Sequence, residues 1–193
     1  MSIAIIDYGA GNTQSVKYAL KRLGCIGVLT SDKEVISNSD KVIFPGVGQA
    51  NSAMRKLKSK GLDLLIPELK QPVLGICLGM QLMCDFSEEG NTDCLKIFGS
   101  NVKKFDNSVK VPQIGWNTVF DLKTSLFDSI NEKEYMYLVH SYYVPILKET
   151  VAKTNYGINY STALKKNNFI GVQFHPEKSG SNGEVVLKNF INN

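Results

Sequence analysis

The first half of the chain alternates short apolar runs with segments of helical periodicity. Uninterrupted apolar runs at residues 3–6, 42–44 and 73–76 are typical of parallel strands that are covered on both faces, and residues 28–29 are a weaker candidate. Between them, apolar residues recur at i, i+3, i+4 and i+7 over 16–23, 50–57 and 62–69, which predicts amphipathic helices. This alternation predicts an open, mostly parallel α/β sheet flanked by helices.

The second half of the chain has a different pattern. Residues 110–120, 134–144, 150–155 and 169–174 are predicted strands joined by short turns, which indicates an antiparallel extension. A last helix is expected to begin at Ser181, with Glu184 completing a capping box. The chain has 193 residues and no repeat, linker or low-complexity tract, so we expect a single domain over residues 1–193.

Composition narrows the class of protein. The net charge is +4 and the lysines are scattered, whereas nucleic-acid binding requires a basic stripe, so that function is disfavoured. The N-terminus lacks the apolar region of a signal peptide, and no segment approaches the roughly 20 apolar residues that cross a bilayer. Four cysteines show no Cys-x-x-Cys spacing and no accompanying zinc-binding histidine. We therefore expect reduced thiols, no metal and a cytoplasmic location.

The segment at 75–79, Gly-Ile-Cys-Leu-Gly, follows a predicted buried strand and starts a helical pattern. It is the thiol counterpart of the Gly-x-Ser-x-Gly nucleophile elbow, in which side chains two residues from the nucleophile would collide with neighbouring backbone. The turn would expose the Cys77 sulfur at the sheet edge, where the start of a helix favours a thiolate and the Leu78 amide faces a developing oxyanion. The alternative is a buried cysteine in a glycine-rich turn.

The chain has two histidines, and one of them lies beside a carboxylate. In the segment Phe-His-Pro-Glu at 174–177, Glu177 could reach the far ring nitrogen of His175, orient the imidazole and stabilise its protonated form. A cysteine together with an oriented histidine is the set that activates a sulfur nucleophile. A histidine at a strand end can equally be a structural hydrogen-bonding residue. Only the fold can bring Cys77 and His175 together.

Two glycine-rich turns also have two interpretations. The turn Phe-Pro-Gly-Val-Gly at 44–48 is either a plain βα loop or a source of backbone amides for an oxyanion hole. The turn Tyr-Gly-Ala-Gly-Asn at 8–12 offers the first two glycines of a dinucleotide-binding loop, but Gln14 occupies the third position. A nicotinamide or flavin site is therefore disfavoured.

Together, the elbow, the Pro-Gly-Val-Gly turn and the Phe-His-Pro-Glu segment resemble, in order, the class I triad-type glutamine amidotransferases. Three further stretches, at 7–12 (Asp-Tyr-Gly-Ala-Gly-Asn), 112–117 (Pro-Gln-Ile-Gly-Trp-Asn) and 140–143 (His-Ser-Tyr-Tyr), resemble the glutaminase subunits of imidazole glycerol phosphate synthases within that family. The resemblance spans nearly the whole chain. It implies a flavodoxin-like amidotransferase fold and no cofactor.

The resemblance also implies roles for particular residues. Cys77 would attack the side-chain amide carbon of L-glutamine, His175 would carry protons, and Glu177 would orient His175. Val47 and Leu78 would supply oxyanion-hole amides, the Val47-type peptide often being turned away until a partner binds. Substrate-binding positions are implied at Gly46, Gly48, Gln81, Glu89, Ser141 and Tyr142, where the choice of Glu89 over Glu88 depends on register.

The implied partner is a cyclase subunit with a (β/α)₈ barrel, forming a heterodimer. The barrel would receive ammonia and make imidazole glycerol phosphate and aminoimidazole carboxamide ribotide in histidine biosynthesis. Its implied contacts are Tyr8, Asn12, Gln113, Trp116, Asn117 and Lys178. One alternative is a paralogous glutaminase that supplies another acceptor, such as an amino-sugar pathway. Another is a catalytically idle flavodoxin-like binding module, against which the intact set of Cys77, His175 and Glu177 argues.

Overall fold

A computed structural model describes all residues from 1 to 193. The β-strands are β1 (Ile3–Ile6), β2 (Gly27–Thr30), β3 (Lys41–Gly46), β4 (Val73–Cys77), β5 (Cys84–Ser87), β6 (Thr92–Asp93), β7 (Phe98–Lys104), β8 (Gln113–Val119), β9 (Glu134–His140), β10 (Tyr142–Tyr143), β11 (Thr150–Tyr156), β12 (Ile158–Lys166) and β13 (Phe169–Val172). The α-helices are α1 (Thr13–Arg22), α2 (Lys33–Asn38), α3 (Ala50–Ser59), α4 (Leu62–Leu65), α5 (Leu78–Leu82) and α6 (Gly180–Asn192). Short 3₁₀ helices span Ile66–Glu68, Ser125–Phe127 and Pro176–Lys178.

Seven strands form one sheet in the order β11-β12-β13-β4-β3-β1-β2. The strands from β13 to β2 pair in parallel, whereas β11 and β12 add an antiparallel edge. A four-stranded sheet (β10-β7-β5-β6) and the β8–β9 ribbon complete the structure. The predicted mostly parallel α/β sheet with an antiparallel extension is therefore confirmed. None of the helices is both long and apolar enough to cross a lipid bilayer.

The main sheet has a hydrophobic core on each face. In β1, Ile3 and Ile5 join a cluster with residues of α1 and α6, while Ala4 and Ile6 join a second cluster with residues of α2, α3, α4 and α5. All four β1 residues are buried. Strands covered on both sides have no polar face, which explains the uninterrupted apolar runs of the sequence.

Some elements differ from the sequence expectation. The pattern gave no sign of α2, β5, β6, β7 or β12; α2, for example, buries only Ile36 and so has no apolar period. The capping box predicted at Ser181 is wrong. Helix α6 begins at Gly180 after the N-cap Ser179, without a side-chain cap. Ser181 is thus the second residue of the helix and cannot cap it, and the Glu184 carboxylate accepts a 2.6 Å hydrogen bond from Arg22 of α1.

Strands β3 and β4 end so close together that the elbow requires glycine on both sides of Cys77. A Cβ at Gly79 would overlap the carbonyl oxygen of Phe44, and one at Gly75 would lie 2.9 Å from the backbone nitrogen of Met80. The expected collision with neighbouring backbone is confirmed. The glycines therefore permit the packing of α5 against the sheet.

We predict that Gly79→Ala lowers the free energy of unfolding by about 1–3 kcal/mol or more, because the Phe44 carbonyl is backbone and cannot move aside cheaply. Urea denaturation followed by circular dichroism measures this. Gly99→Ala is the matched control, since a Cβ there meets no atom within 4 Å and should change stability by no more than about 0.5 kcal/mol. Equal stability of the two variants would contradict the steric argument.

Candidate active site

The candidate site lies where three parallel strands end together. Gly46 of β3 pairs with Cys77 of β4, and Val172 of β13 pairs with Ile76 on the other side of β4. Because parallel strands present their carboxyl ends at one edge of a sheet, the turn after β3, the sulfur and the segment after β13 meet there. The predicted proximity of Cys77 and His175 follows from this register.

Cys77 adopts the backbone conformation of a sharp strand-to-helix turn. Its φ of 53° and ψ of −108° lie in a region that non-glycine residues rarely occupy, at a cost of about 1–3 kcal/mol. Helix α5 is only five residues long. A macrodipole grows with aligned peptides, so α5 supports a thiolate less than expected. Neighbouring side chains must therefore provide the rest of the stabilisation that a thiolate needs.

His175 is buried and held on both sides. Its Nδ1 lies 2.8 Å from Oε1 of Glu177, and its backbone N–H donates to the Tyr137 carbonyl of β9 at 2.9 Å. The Ser179 hydroxyl donates to the His175 carbonyl and accepts from the Tyr137 N–H. His175 Nε2 has no hydrogen-bond partner among the protein atoms. That nitrogen is therefore available to exchange a proton on the Cys77 side.

The electrostatics of the pair favour charge separation. Burial acts to lower the pKa of His175, but the Cys77 thiolate and the Glu177 carboxylate outweigh it and raise that pKa to about 10. The arrangement favours the imidazolium form of His175 at neutral pH, which places a positive charge beside the Cys77 sulfur. His140 is different: burial lowers its pKa to about 4, despite the hydrogen bond between its Nδ1 and the Tyr142 carbonyl. His140 is therefore neutral.

A cavity of about 290 Å³ opens on the sulfur. The predicted site residues that line it are Val47, Gly48, Cys77, Leu78, Gln81, Glu89, Ser141 and Tyr142. Gly46 does not line it, because its backbone is packed under α5, where a Cβ would lie 2.6 Å from the Gly79 nitrogen. The substrate contact expected of Gly46 stays a prediction. No group of three or more His, Cys, Asp or Glu side chains is arranged to hold a metal ion.

The structure separates the two candidate glutamates. Glu89 faces the cavity and accepts a 2.8 Å hydrogen bond from the Ala50 N–H, while its partial burial raises the pKa of the carboxyl. Glu88 accepts from the Lys104 N–H and lies outside the cavity lining. The register chosen for Glu89 agrees with this placement.

Sequence reasoning missed one residue in contact with the sulfur. Gln173 is fully buried after β13, and its Nε2 lies 3.6 Å from Sγ of Cys77. Its Oε1 accepts a 2.9 Å hydrogen bond from Nε2 of Gln81. The signal available was a single polar residue at the end of an apolar strand, two positions before His175. Such a residue in a buried strand needs a partner.

Four of the predicted partner contacts are accessible. Trp116 is 55% exposed, and its ring meets the Tyr137 ring edge-on at a centroid distance of 6.0 Å. Nζ of Lys178 lies 6.0 Å from the centroid of the Tyr137 ring. Asn12 and Asn117 are half-buried. An exposed aromatic with a neighbouring cation is suited to an interface.

The other two predicted contacts, Tyr8 and Gln113, are buried and face the interior. The Tyr8 hydroxyl donates to the Pro45 carbonyl at 3.0 Å, while the ring packs against Phe44. The Gln113 side chain accepts from the Tyr160 hydroxyl at 3.0 Å. Their side chains therefore support the protein from within, and contact with a partner stays a prediction for these two residues.

Comparison with known proteins agrees with this geometry. The family model described as "Glutamine amidotransferase class-I" matches residues 4–193. A solved structure described as a glutamine amidotransferase has a TM-score of 0.78 at 15% identity, covering 100% of this chain and 98% of that one, which shows the shared fold. The chain belongs to the class I glutamine amidotransferases.

Curated relatives narrow the assignment within the class. The protein named imidazole glycerol phosphate synthase subunit HisH of Bacteroides fragilis strain YCH46 is 58% identical over 99% of both chains. The protein of the same name from Haemophilus influenzae strain Rd is 49% identical, over 99% of this chain and 97% of the other. This chain is a member of that subunit family.

We predict that Cys77→Ala lowers the pKa of His175 well below about 10, because burial then acts against a single anion, Glu177. NMR titration of ring-labelled histidine measures it directly, since the chain has only two histidines. The His140 signal serves as an internal reference near pH 4. Cys25→Ser, a thiol removed outside this site, is the control, and an unchanged His175 titration in Cys77→Ala would refute the thiolate–imidazolium pair.

Proposed function

We propose that the protein is the glutaminase subunit of an imidazole glycerol phosphate synthase. It hydrolyses L-glutamine to glutamate and ammonia, and the ammonia passes to a cyclase subunit in histidine biosynthesis. The observation that carries the proposal is the buried set of Cys77, His175 and Glu177 at a cavity that Gln81, Glu89 and Ser141 also line. The HisH relatives at 49–58% identity support the choice of pathway.

The first half-reaction forms a thioester. The Cys77 thiolate attacks the side-chain amide carbon of glutamine, and the carbonyl becomes a tetrahedral oxyanion. The His175 imidazolium donates its Nε2 proton to the amide nitrogen as the C–N bond breaks, releasing ammonia. Glu177 at Nδ1 holds the ring so that Nε2 faces the leaving group.

The second half-reaction releases glutamate. Neutral His175 accepts a proton from water through Nε2, and the hydroxide attacks the thioester carbon. The second tetrahedral oxyanion collapses as the C–S bond breaks, which regenerates the thiolate beside the imidazolium. The raised pKa of His175 suits this cycle, because the ring is reprotonated in every turnover.

Backbone amides of Leu78 and Val47 stabilise both oxyanions in this proposal. The Leu78 N–H is the first of α5 and has no acceptor within the helix. Val47 belongs to the turn after β3, which lines the same cavity. Each such donor is worth about 2.7–4 kcal/mol of barrier. A Val47 peptide turned away from the cavity before the partner binds would therefore slow hydrolysis by about a hundred- to a thousandfold.

The remaining cavity residues bind the backbone end of glutamine. Both hydrogens of Gln81 Nε2 are committed, one to the Tyr142 carbonyl and one to Gln173, so only Oε1 of Gln81 is left to accept from the α-ammonium group. Glu89 supplies a carboxylate for the same group. Ser141 and the amide of Gly48 are suited to the α-carboxylate.

The cyclase partner is a (β/α)₈ barrel and forms a heterodimer with this chain. We propose that Trp116 and Lys178 are its main anchors, with Asn12 and Asn117 alongside. Transfer through the complex keeps ammonia unprotonated, whereas ammonia released to neutral water becomes ammonium and is not nucleophilic. A cytoplasmic location fits the four free cysteines of the chain.

We predict that Cys77→Ala abolishes glutamate release while the complex with the cyclase still forms. Glutamate is assayed with and without a histidine-pathway cyclase and its ribotide ligand, and complex formation by size-exclusion chromatography. Cys25→Ser is the control and should keep the wild-type rate within about twofold, as expected of a thiol outside the site. Undiminished turnover in Cys77→Ala would refute the covalent mechanism. Stimulation only by an amino-sugar-pathway partner would favour the paralogous glutaminase.

We predict that Trp116→Ala weakens the complex by about 2 kcal/mol or more, roughly thirtyfold in Kd, because exposed aromatics often anchor interfaces. Isothermal titration calorimetry with the cyclase measures the change. Tyr18→Ala removes an aromatic of similar exposure on α1, 57% against 55%, and is expected to leave Kd unchanged. Equal effects of the two substitutions would contradict the assignment of the interface.

A further inference from the structure

We propose that Gln173 is a further catalytic residue, whose side-chain N–H donates a hydrogen bond to the sulfur of Cys77 and stabilises the thiolate. Gln81 and the backbone carbonyl of Tyr142 hold the Gln173 amide in the orientation that makes this possible. The inference rests on the proposed glutaminase function. It concerns a step that can be measured without glutamine, namely ionisation of the sulfur.

The orientation of two amides follows from one carbonyl. The backbone oxygen of Tyr142 can only accept, so the atom of Gln81 that lies 2.9 Å from it must be Nε2. The same Nε2 lies 2.9 Å from the Gln173 side chain, where it must meet the acceptor Oε1. The other end of the Gln173 amide, which faces the sulfur at 3.6 Å, is therefore the donor Nε2. A flipped Gln173 would set two N–H donors against each other and an oxygen against the sulfur.

Burial makes the contact effective. The Gln173 side chain is fully buried, so water does not compete for its amide, and Gln81 is only 4% exposed. Gln173 follows β13 directly, beside the end of β4, and the parallel pairing of Val172 with Ile76 fixes its position relative to the sulfur. A hydrogen bond to a charged acceptor in such surroundings is stronger than one in water.

The other groups around the sulfur do not replace this donor. The Val139 carbonyl lies 3.8 Å from Sγ and can accept the thiol proton, but it would repel a thiolate. Tyr8 and Tyr160 are neutral, because burial raises the pKa of each phenol far above neutrality. The imidazolium of His175 supplies the opposite charge.

Two further titratable groups, His140 and Glu89, lie on the cavity wall. His140 is neutral because burial lowers its pKa to about 4, and Glu89 is an acceptor. Gln173 is thus an uncharged side chain whose N–H is hydrogen-bonded to the sulfur, alongside the charged ring of His175. The Gln173 donor is uncharged and is held in one orientation. His175, by contrast, gives up its Nε2 proton during each turnover.

The test is the pH dependence of Cys77 alkylation by iodoacetamide, followed by peptide mass spectrometry on the full chain. Gln173→Met keeps the length of the side chain and removes the N–H. We expect the alkylation rate at pH 7 to fall about tenfold and the half-maximal pH to rise by about one unit, with the high-pH plateau unchanged. In the cyclase complex, kcat for glutamine should fall by a similar factor, while KM changes less than twofold.

Gln71→Met is the matched control, because it removes an amide N–H bonded to the Ile36 carbonyl, away from the site, and should leave the profile unchanged. A wild-type alkylation profile in folded Gln173→Met overturns the proposal.

If Gln173→Met does not fold, Gln81→Met replaces it. That variant frees the Gln173 amide to turn, so a smaller shift in the same direction is expected and an unchanged profile overturns the proposal. If the wild-type protein is alkylated normally but never releases glutamate, the proposed function is refuted. The role of Gln173 in ionising the sulfur is still tested in that case, because the alkylation rates of the variants can be compared without glutamine.

Discussion

The parallel alignment of β3, β4 and β13 is the constraint on which the site depends. Register alone sets Gly46 opposite Cys77 and Val172 opposite Ile76, so segments distant in sequence end at one edge. The close backbone approach at Gly79 then leaves no room for another geometry of the elbow. Because these contacts are made by backbone, the position of the sulfur does not depend on any flexible side chain.

The two histidines show how charged neighbours decide the outcome of burial. Both are almost fully buried, which by itself favours the neutral ring. His140 meets a carbonyl and a phenol, and it remains neutral. His175 meets a carboxylate and a thiolate, and its pKa rises to about 10. The same residue type in the same protein therefore serves as a structural hydrogen-bonding group in one place and as a proton carrier in the proposed mechanism.

The sequence was sufficient for local features and insufficient for contacts between distant side chains. The elbow glycines, the His175–Glu177 spacing and the apolar parallel strands are short-range signals with direct structural causes. The burial of Tyr8 could not be predicted, because a tyrosine beside two glycines looks exposed until Phe44 and Pro45 are seen to cover it. Gln173 was missed for the same reason, since its partners are Gln81 and Cys77. The end of α5 at Leu82 was not predicted either, because β5, which begins at Cys84, left no sign in the pattern.

The enclosure of the sulfur has a consequence for chemical durability. Thiolates are oxidised to sulfenic and higher acids according to their accessibility, and Cys77 is only 6% exposed, facing the cavity. A peroxide must reach the sulfur by the route that glutamine uses. Bound glutamine would close that route and shield the sulfur from peroxide.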